Sequence, residues 1–294
     1  MTTPENSALP GQVVFPTVSA NTSEVPPPID PNNPPWGLWA AALAWFASIV
    51  FIWLVPQLCA LPYIATHYRA MGGPTKEQLL TDKTFVLILV AGFIPAHLLT
   101  VWLAWAIASR FGKLSAFKTL GLTWPANFGL WKSAATAVGL FLIAMAIIYK
   151  FGGQDTDLEK ILRSSRGAAI VTAFVAAVTA PLVEEVIYRG LLYSALQRAA
   201  GVVAAIAIVA MTFAGLHVLQ YWPNYGAIGA ISLLSLVLTI VRARTGRLLP
   251  CYVIHLVFNG IQSVIIVAEP IVRSLFQTPH PDAAPAILRL LRLF

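Results

Sequence analysis

Long apolar stretches separated by short polar links set the rhythm of this chain. The stretches fall near residues 36 to 56, 84 to 108, 131 to 151, 168 to 195, 201 to 219, 226 to 241 and 248 to 268. Most come close to the ~20 residues a helix needs to cross ~30 Å of hydrocarbon. The pattern predicts an all-α protein, a polytopic transmembrane helical bundle of about seven spans.

Composition strengthens this picture. Hydrophobic residues make up 58% of the 294 and charged residues 11%, against roughly 25% charged in soluble domains; mean hydropathy is +0.75. The formal charge of +7 would suit nucleic acid only if the basic residues formed a folded face. They are scattered through the links instead, which suits anionic lipid headgroups, so membrane lipid is the expected partner and nucleic acid is not. An integral, multi-pass protein of the cell (plasma) membrane is expected. Cys59 and Cys251 are too few for a disulfide framework and read as packing residues.

The links divide the chain. Residues 1–35 are rich in proline and lack lysine and arginine, which predicts a disordered tail. The N-terminal spans occupy 36–160 and a chemically distinct core 161–270. A C-terminal segment, 271–294, ends in "AILRLLRLF", a pattern suited to an interfacial helix. The "QYWPNYG" link at 220–226 has the aromatics and proline of a headgroup-level turn.

Against this background "PLVEEVIYRG", residues 181–190, stands out. Each charge at the centre of a span disfavours insertion by roughly 2.5–3.5 kcal/mol, so Glu184, Glu185 and Arg189 require partners or a function. Glu185 and Arg189 are four apart and share a helix face, whereas Glu184 is turned by about 100° from its neighbour. The economical reading is a structural ion pair, Glu185 with Arg189, and a free Glu184. Pro181 cannot donate to the carbonyl of Ala177, which predicts a loosened, water-admitting turn just before Glu184.

Two other spans carry polar pairs: "FAGLH" sets Phe213 and His217 at i and i+4, and "HLVFN" sets His255 and Asn259 likewise, each pair on one helix face. Counting ~1.5 Å per residue from one end of the bundle puts Glu184 roughly 18 Å deep, His217 roughly 24 Å, His255 roughly 11 Å and Asn259 roughly 17 Å. These four can meet near mid-membrane; His97 reads as a hydrogen-bonded core residue. A carboxylate, two imidazoles and an amide in a hydrated cavity form a hydrolytic set. Glu184, His217 and His255 could hold a divalent metal, zinc above all, with an open water position. Without metal the same groups could serve as general base, general acid and oxyanion donors.

"EEVIYR", "FAGLH" and "HLVFN" fit, in order, the EExxxR, FxxxH and HxxxN motifs of the CAAX protease and bacteriocin-processing membrane endopeptidases, the family that includes the type II CAAX prenyl endopeptidases. The resemblance covers about residues 165 to 265. It implies an all-helical intramembrane endopeptidase acting on membrane-associated peptide or protein substrates, prenylated CAAX termini or leader peptides among them. In such enzymes the residues matched by Glu184 and His217 position and activate the attacking water. Those matched by His255 and Asn259 stabilise the oxyanion or complete a metal site. The family also admits a second class of function, a non-catalytic membrane scaffold or bacteriocin immunity factor. The chain has no HExxH, no aspartate within its spans and no GxSxG elbow, which removes the zincin, paired-aspartate and serine-elbow protease types.

Overall fold

The computed structural model describes residues 29–69, 72–152 and 165–275, with side chains through residue 268. The acidic link after the third span and the "AILRLLRLF" segment lie outside the described residues, as do residues 1–28 of the proline-rich tail.

The helices are α1 (Leu38–His67), α2 (Lys76–Thr81), α3 (Lys83–Ala91), α4 (Phe93–Ser109), α5 (Ala116–Leu120), α6 (Leu130–Phe151), a continuous run Arg166–Tyr221, α9 (Tyr225–Thr245) and α10 (Leu249–Leu275). No strand occurs among the described residues. Among the described residues, six helical segments are long and apolar enough to cross a bilayer. One of them, Arg166–Tyr221, has 56 residues, about 84 Å at 1.5 Å per residue, far more than one ~30 Å crossing needs. It breaks at Gly201, whose φ of 85° and ψ of 168° are non-helical and accessible mainly to glycine. The break yields α7 (166–200) and α8 (202–221). Counting the two arms separately gives seven crossings, in keeping with the spacing of the apolar runs.

The first two spans differ from the apolar pattern. α1 continues past Pro56 and Pro62 to His67 rather than ending near residue 56. A proline within a bilayer helix is tolerated where neighbours cover the freed backbone, and Pro56 packs against a break in the second span. There Gly92 separates α3 from α4, and a Cβ on it would lie 2.7 Å from Pro56 Cα. The short α2 begins with a capping box between Thr75 and Gln78. Asp82 then caps α3 through the backbone N–H groups of Thr84 and Phe85 and accepts hydrogen bonds from the hydroxyls of Tyr63 and Tyr68, each at 2.8 Å.

α6, α9 and α10 pack on one another, α8 packs on α9, and α1 packs on α3, α4 and the Glu185–Leu192 part of α7. The main core gathers Tyr188, Leu191, Tyr193, Phe213 and Leu248, while Trp39, Trp131, Val203 and Leu219 are exposed on the outside. An apolar exterior is the surface a bilayer solvates. Trp39 and Trp131 stand at the starts of α1 and α6, the level at which aromatics anchor to headgroups. Trp222 and Tyr225 stack edge to face at the turn before α9, and Asn224 caps that helix through Ala227 N–H.

Residues 29–35, expected to belong to a free tail, are docked. Pro31, Pro34 and Trp36 are buried, and Trp36 Nε1 donates to Leu191 O at 3.0 Å. The prolines at 31, 34 and 35 deny this strap a helix; it turns on itself between Asp30 and Asn33, whose backbone groups bond to each other, and the carbonyls of Pro31, Pro34 and Pro35 meet donors on α9, α7 and the α4–α5 link.

α6 and α9 touch through their backbones. A Cβ on Gly226 would lie 2.7 Å from Gly152 N and 2.9 Å from Ile148 Cα, whereas one on Gly229 would meet only the Ile147 side chain at 3.2 Å. Backbone cannot step aside as a side chain can. Gly226→Ala is therefore expected to lower the melting temperature in detergent, corresponding to about 1–3 kcal/mol, and Gly229→Ala to lower it less. Equal melting temperatures for both variants and the parent would contradict this close approach.

Candidate active site

The site is built on α7, and its irregular backbone follows from the sequence. Residues Val175–Thr179 and Glu185–Leu192 are π-helical turns that flank an α-helical turn, Ala180–Glu184. In the first π turn Ala180 N–H bonds to Val175 O, one residue further back than in an α-helix. The next donor in that register would be residue 181, which is proline and has no N–H. This leaves Ala176 O free, and Asn259 Nδ2 donates to it at 2.9 Å. The loosening expected at Ala177 thus appears one residue earlier, because the register itself has shifted. π turns of this kind recur at functional sites. α4 braces the same turn, with His97 Nδ1 and Thr179 Oγ1 at 2.8 Å; His97 is a hydrogen-bonded core residue.

Glu185 and Arg189 are fully buried, and Arg189 Nη1 donates to Glu185 Oε1 at 3.0 Å. The rest of the guanidinium is satisfied by α9: Nη2 donates to Ser235 Oγ at 2.9 Å and Ser235 O at 3.1 Å, and Nε to Thr239 Oγ1 at 3.3 Å. Its face lies 4.5 Å from the centre of the Phe213 ring, a cation–π contact. Ser235 and Thr239 are the residues that sequence reasoning passed over. Their signal was available, as hydroxyls at i and i+4 on one face of an apolar span.

Glu185 does more than hold Arg189. His255, on α10, has Nδ1 at 2.8 Å from the same Oε1. Arg189, Glu185 and His255 therefore form one chain across α7 and α10, in which a carboxylate fixes the ring orientation of a histidine. An Nδ1–H donated to Glu185 leaves the lone pair of a neutral imidazole on Nε2. That nitrogen stands 3.6 Å from Glu184 Oε2, with Glu184 21% exposed and His255 2%. The separation is too long for a direct hydrogen bond. A water about 2.8 Å from each atom could bridge it from one side.

His217 is oriented by its own helix. Nδ1 lies 2.8 Å from Phe213 O and the two rings stack 4.4 Å apart, so the free nitrogen is Nε2. Phe213 is the hub of the site, set edge to face against both Tyr188 and His255. Glu184, Glu185, Arg189 and His255 are brought together directly. His217, on α8, and Asn259, one turn beyond His255 on α10, hydrogen-bond to neither Glu184 nor His255; both bond to backbone carbonyls.

The donor set can be tested against a metal. A catalytic zinc site takes three protein ligands, and no group of three His, Cys, Asp or Glu able to hold an ion occurs among the described residues. The expected set of Glu184, His217 and His255 is not assembled: Glu184 and His255 approach each other, and His217 is held against Phe213. As arranged, these residues do not fit a three-ligand centre.

A partly exposed carboxylate 3.6 Å from a buried imidazole, on a π-distorted helix inside an apolar bundle, defines a class of protein: helical membrane proteins with a polar site within the membrane. Residues 166–261, or 96 of the 294, match the family model described as "Type II CAAX prenyl endopeptidase Rce1-like". This stretch runs from the start of α7 into α10 and contains every site residue above. Over this stretch the chain is similar to the CAAX protease and bacteriocin-processing family, a likeness that supports a membrane-embedded endopeptidase. No curated protein and no solved structure matches the chain.

Proposed function

We propose that the protein is an intramembrane endopeptidase of the CAAX type in which Glu184 is the general base and His255, rather than His217, shares the attacking water with it. The observation that carries this reading is the 3.6 Å approach of Glu184 Oε2 to His255 Nε2, with His255 Nδ1 anchored on Glu185.

A water in that approach donates one hydrogen to Glu184 and the other to His255. As Glu184 takes its proton, the water oxygen attacks the scissile carbonyl carbon and the carbonyl oxygen becomes an oxyanion. The second N–H of the Asn259 amide is the group suited to face that oxyanion, since its other hydrogen is held by Ala176 O; a neutral His217, its Nδ1–H given to Phe213 O, presents a lone pair at Nε2 and orients rather than donates. Glu184 then returns the proton to the amide nitrogen, the C–N bond breaks, and an acid and an amine leave. No step is routed through a metal. The partial exposure of Glu184, beside a fully buried Glu185, favours this reading over a non-catalytic scaffold, for which a closed ion-pair cluster would suffice. The substrate class we propose is a membrane-tethered peptide, with a prenylated C-terminal CAAX segment as the first to try.

The test is cleavage by the purified, detergent-solubilised protein of peptides ending in a farnesylated cysteine plus three residues, alongside unprenylated copies, before and after exhaustive chelation. Cleavage after the modified cysteine that survives chelation is the expected result. Loss on chelation with recovery on adding zinc would replace the glutamate-base mechanism by a metal-assisted one. Absence of cleavage of any membrane-tethered peptide would favour the scaffold.

A further inference from the structure

Behind the site a second arginine is buried with no carboxylate among its described hydrogen-bond partners. Arg242, on α9, is 0% exposed, and each of its hydrogen bonds goes to a neutral oxygen. Nε donates to Arg189 O at 3.1 Å, Nη2 to Ser194 Oγ at 3.0 Å and Pro31 O at 2.6 Å, and Nη1 to Asn32 Oδ1 at 2.9 Å. Two of these acceptors belong to α7, at or just beyond its second π turn, and two to the strap. The guanidinium also lies over the Tyr193 ring at 5.0 Å. Its neighbours are arranged so that neither side alone satisfies it. The strap is held from other directions as well: Arg198 donates to Pro34 O and Trp36 O, each at 2.7 Å, and Arg110 to Pro35 O at 3.0 Å. Gly121 and Gly246 leave room for it, since a Cβ on either would approach Pro31 or Asn32 to 2.9 Å and 3.1 Å.

We propose that Arg242 is a positioning residue for the candidate active site, and that the strap around Pro31 and Asn32 holds it in its working orientation. The chain of contacts is short. The strap fixes the Arg242 guanidinium, which fixes the carbonyl of Arg189. The side chain of that same residue holds Glu185, and Glu185 sets the His255 ring opposite Glu184. If the strap lifts, Arg242 loses two of its acceptors in a fully buried site. A buried, unsatisfied guanidinium will turn to find others, and the Arg189 carbonyl moves with it. Displacements of about 1 Å at a catalytic constellation are enough to slow turnover by up to 10²-fold. The segment that reads as free tail would thus be required for site geometry. Its effect on turnover rests on the endopeptidase reading, but its effect on His255 does not.

The test uses the full-length protein with Asn32→Ala and Arg198→Gln, together and singly, to unhook the strap, and Arg242→Lys and Arg242→Gln to remove the bridge. The first readout is the ¹⁵N signal of His255 Nδ1, assigned among the five histidines by its absence in His255→Ala. The expected result is that the strap double variant and both Arg242 variants shift this signal, with Arg242→Lys moved less than Arg242→Gln. The second readout is turnover per folded molecule: kcat is expected to fall by about tenfold or more with KM within about twofold. An unchanged His255 signal in folded strap and Arg242 variants overturns the proposal, as does a shifted signal with undiminished kcat. A shifted signal in a protein whose parent cleaves nothing supports the positioning role and removes the endopeptidase reading instead.

Discussion

Glu184→Gln is expected to reduce kcat for peptide cleavage by about 10³-fold or more while leaving the melting temperature in detergent within a degree or two. General-base catalysis alone accounts for roughly 10²–10⁴-fold, and the amide that replaces the carboxylate cannot accept the proton of the attacking water. The structural consequences are small because Glu184 is 21% exposed and its neighbour His255 is 3.6 Å away rather than hydrogen-bonded. Single-turnover cleavage of the prenylated peptide and thermal unfolding of the same preparation would check both halves. Turnover within tenfold of the parent would remove Glu184 from the chemistry.

The contrast between Glu184 and its neighbour was legible in the sequence, because it follows from helix geometry: residues four apart share a face and adjacent residues do not. The seven crossings were legible for a similar reason, since hydrocarbon thickness sets the length of every apolar run. What the sequence hid was non-local or depended on register. Spacing makes Glu185 a structural partner of Arg189, yet its Oε1 also accepts from His255, 70 residues away. No spacing rule reports that. The π turns moved the freed carbonyl from Ala177 to Ala176, a shift invisible to any argument that assumes 3.6 residues per turn. The strap was hidden because proline-rich composition is shared by disordered tails and by ordered, non-helical segments recognised through their carbonyls. Only the arginines it meets, on α7, α9 and the α4–α5 link, distinguish the two.

His217 illustrates a different limit. Its four-residue spacing from Phe213 put both on one face, and the structure gives that pairing a physical form, with ring stacking and a hydrogen bond to Phe213 O. Depth arguments accurate to a few ångströms could bring His217, His255 and Glu184 to one level. They could not say which imidazole approaches the carboxylate, since that is decided by the rotation of each helix about its own axis.

The ion pair offers the sharpest separation of stability from chemistry. Arg189→Met and Glu185→Leu are each expected to destabilise the protein by about 3–5 kcal/mol, because each leaves a fully buried charge without its partner. Glu185 already has one buried oxygen, Oε2, with no hydrogen-bond partner, so losing Arg189 would leave the buried carboxylate with His255 Nδ1–H alone. The double variant Glu185→Leu/Arg189→Met removes both charges and fills the space with apolar atoms of similar length. Buried pairs replaced in this way are often neutral in stability, so its melting temperature should recover most of what either single variant loses. Activity should not recover. With leucine in place of Glu185 there is no acceptor for His255 Nδ1–H, the imidazole is free to rotate, and Nε2 no longer faces Glu184. Melting curves and single-turnover rates measured on the three variants together decide between the roles. A double variant that regains both stability and turnover would show that Glu185 and Arg189 serve only to hold α7 to its neighbours, and that His255 needs no carboxylate behind it.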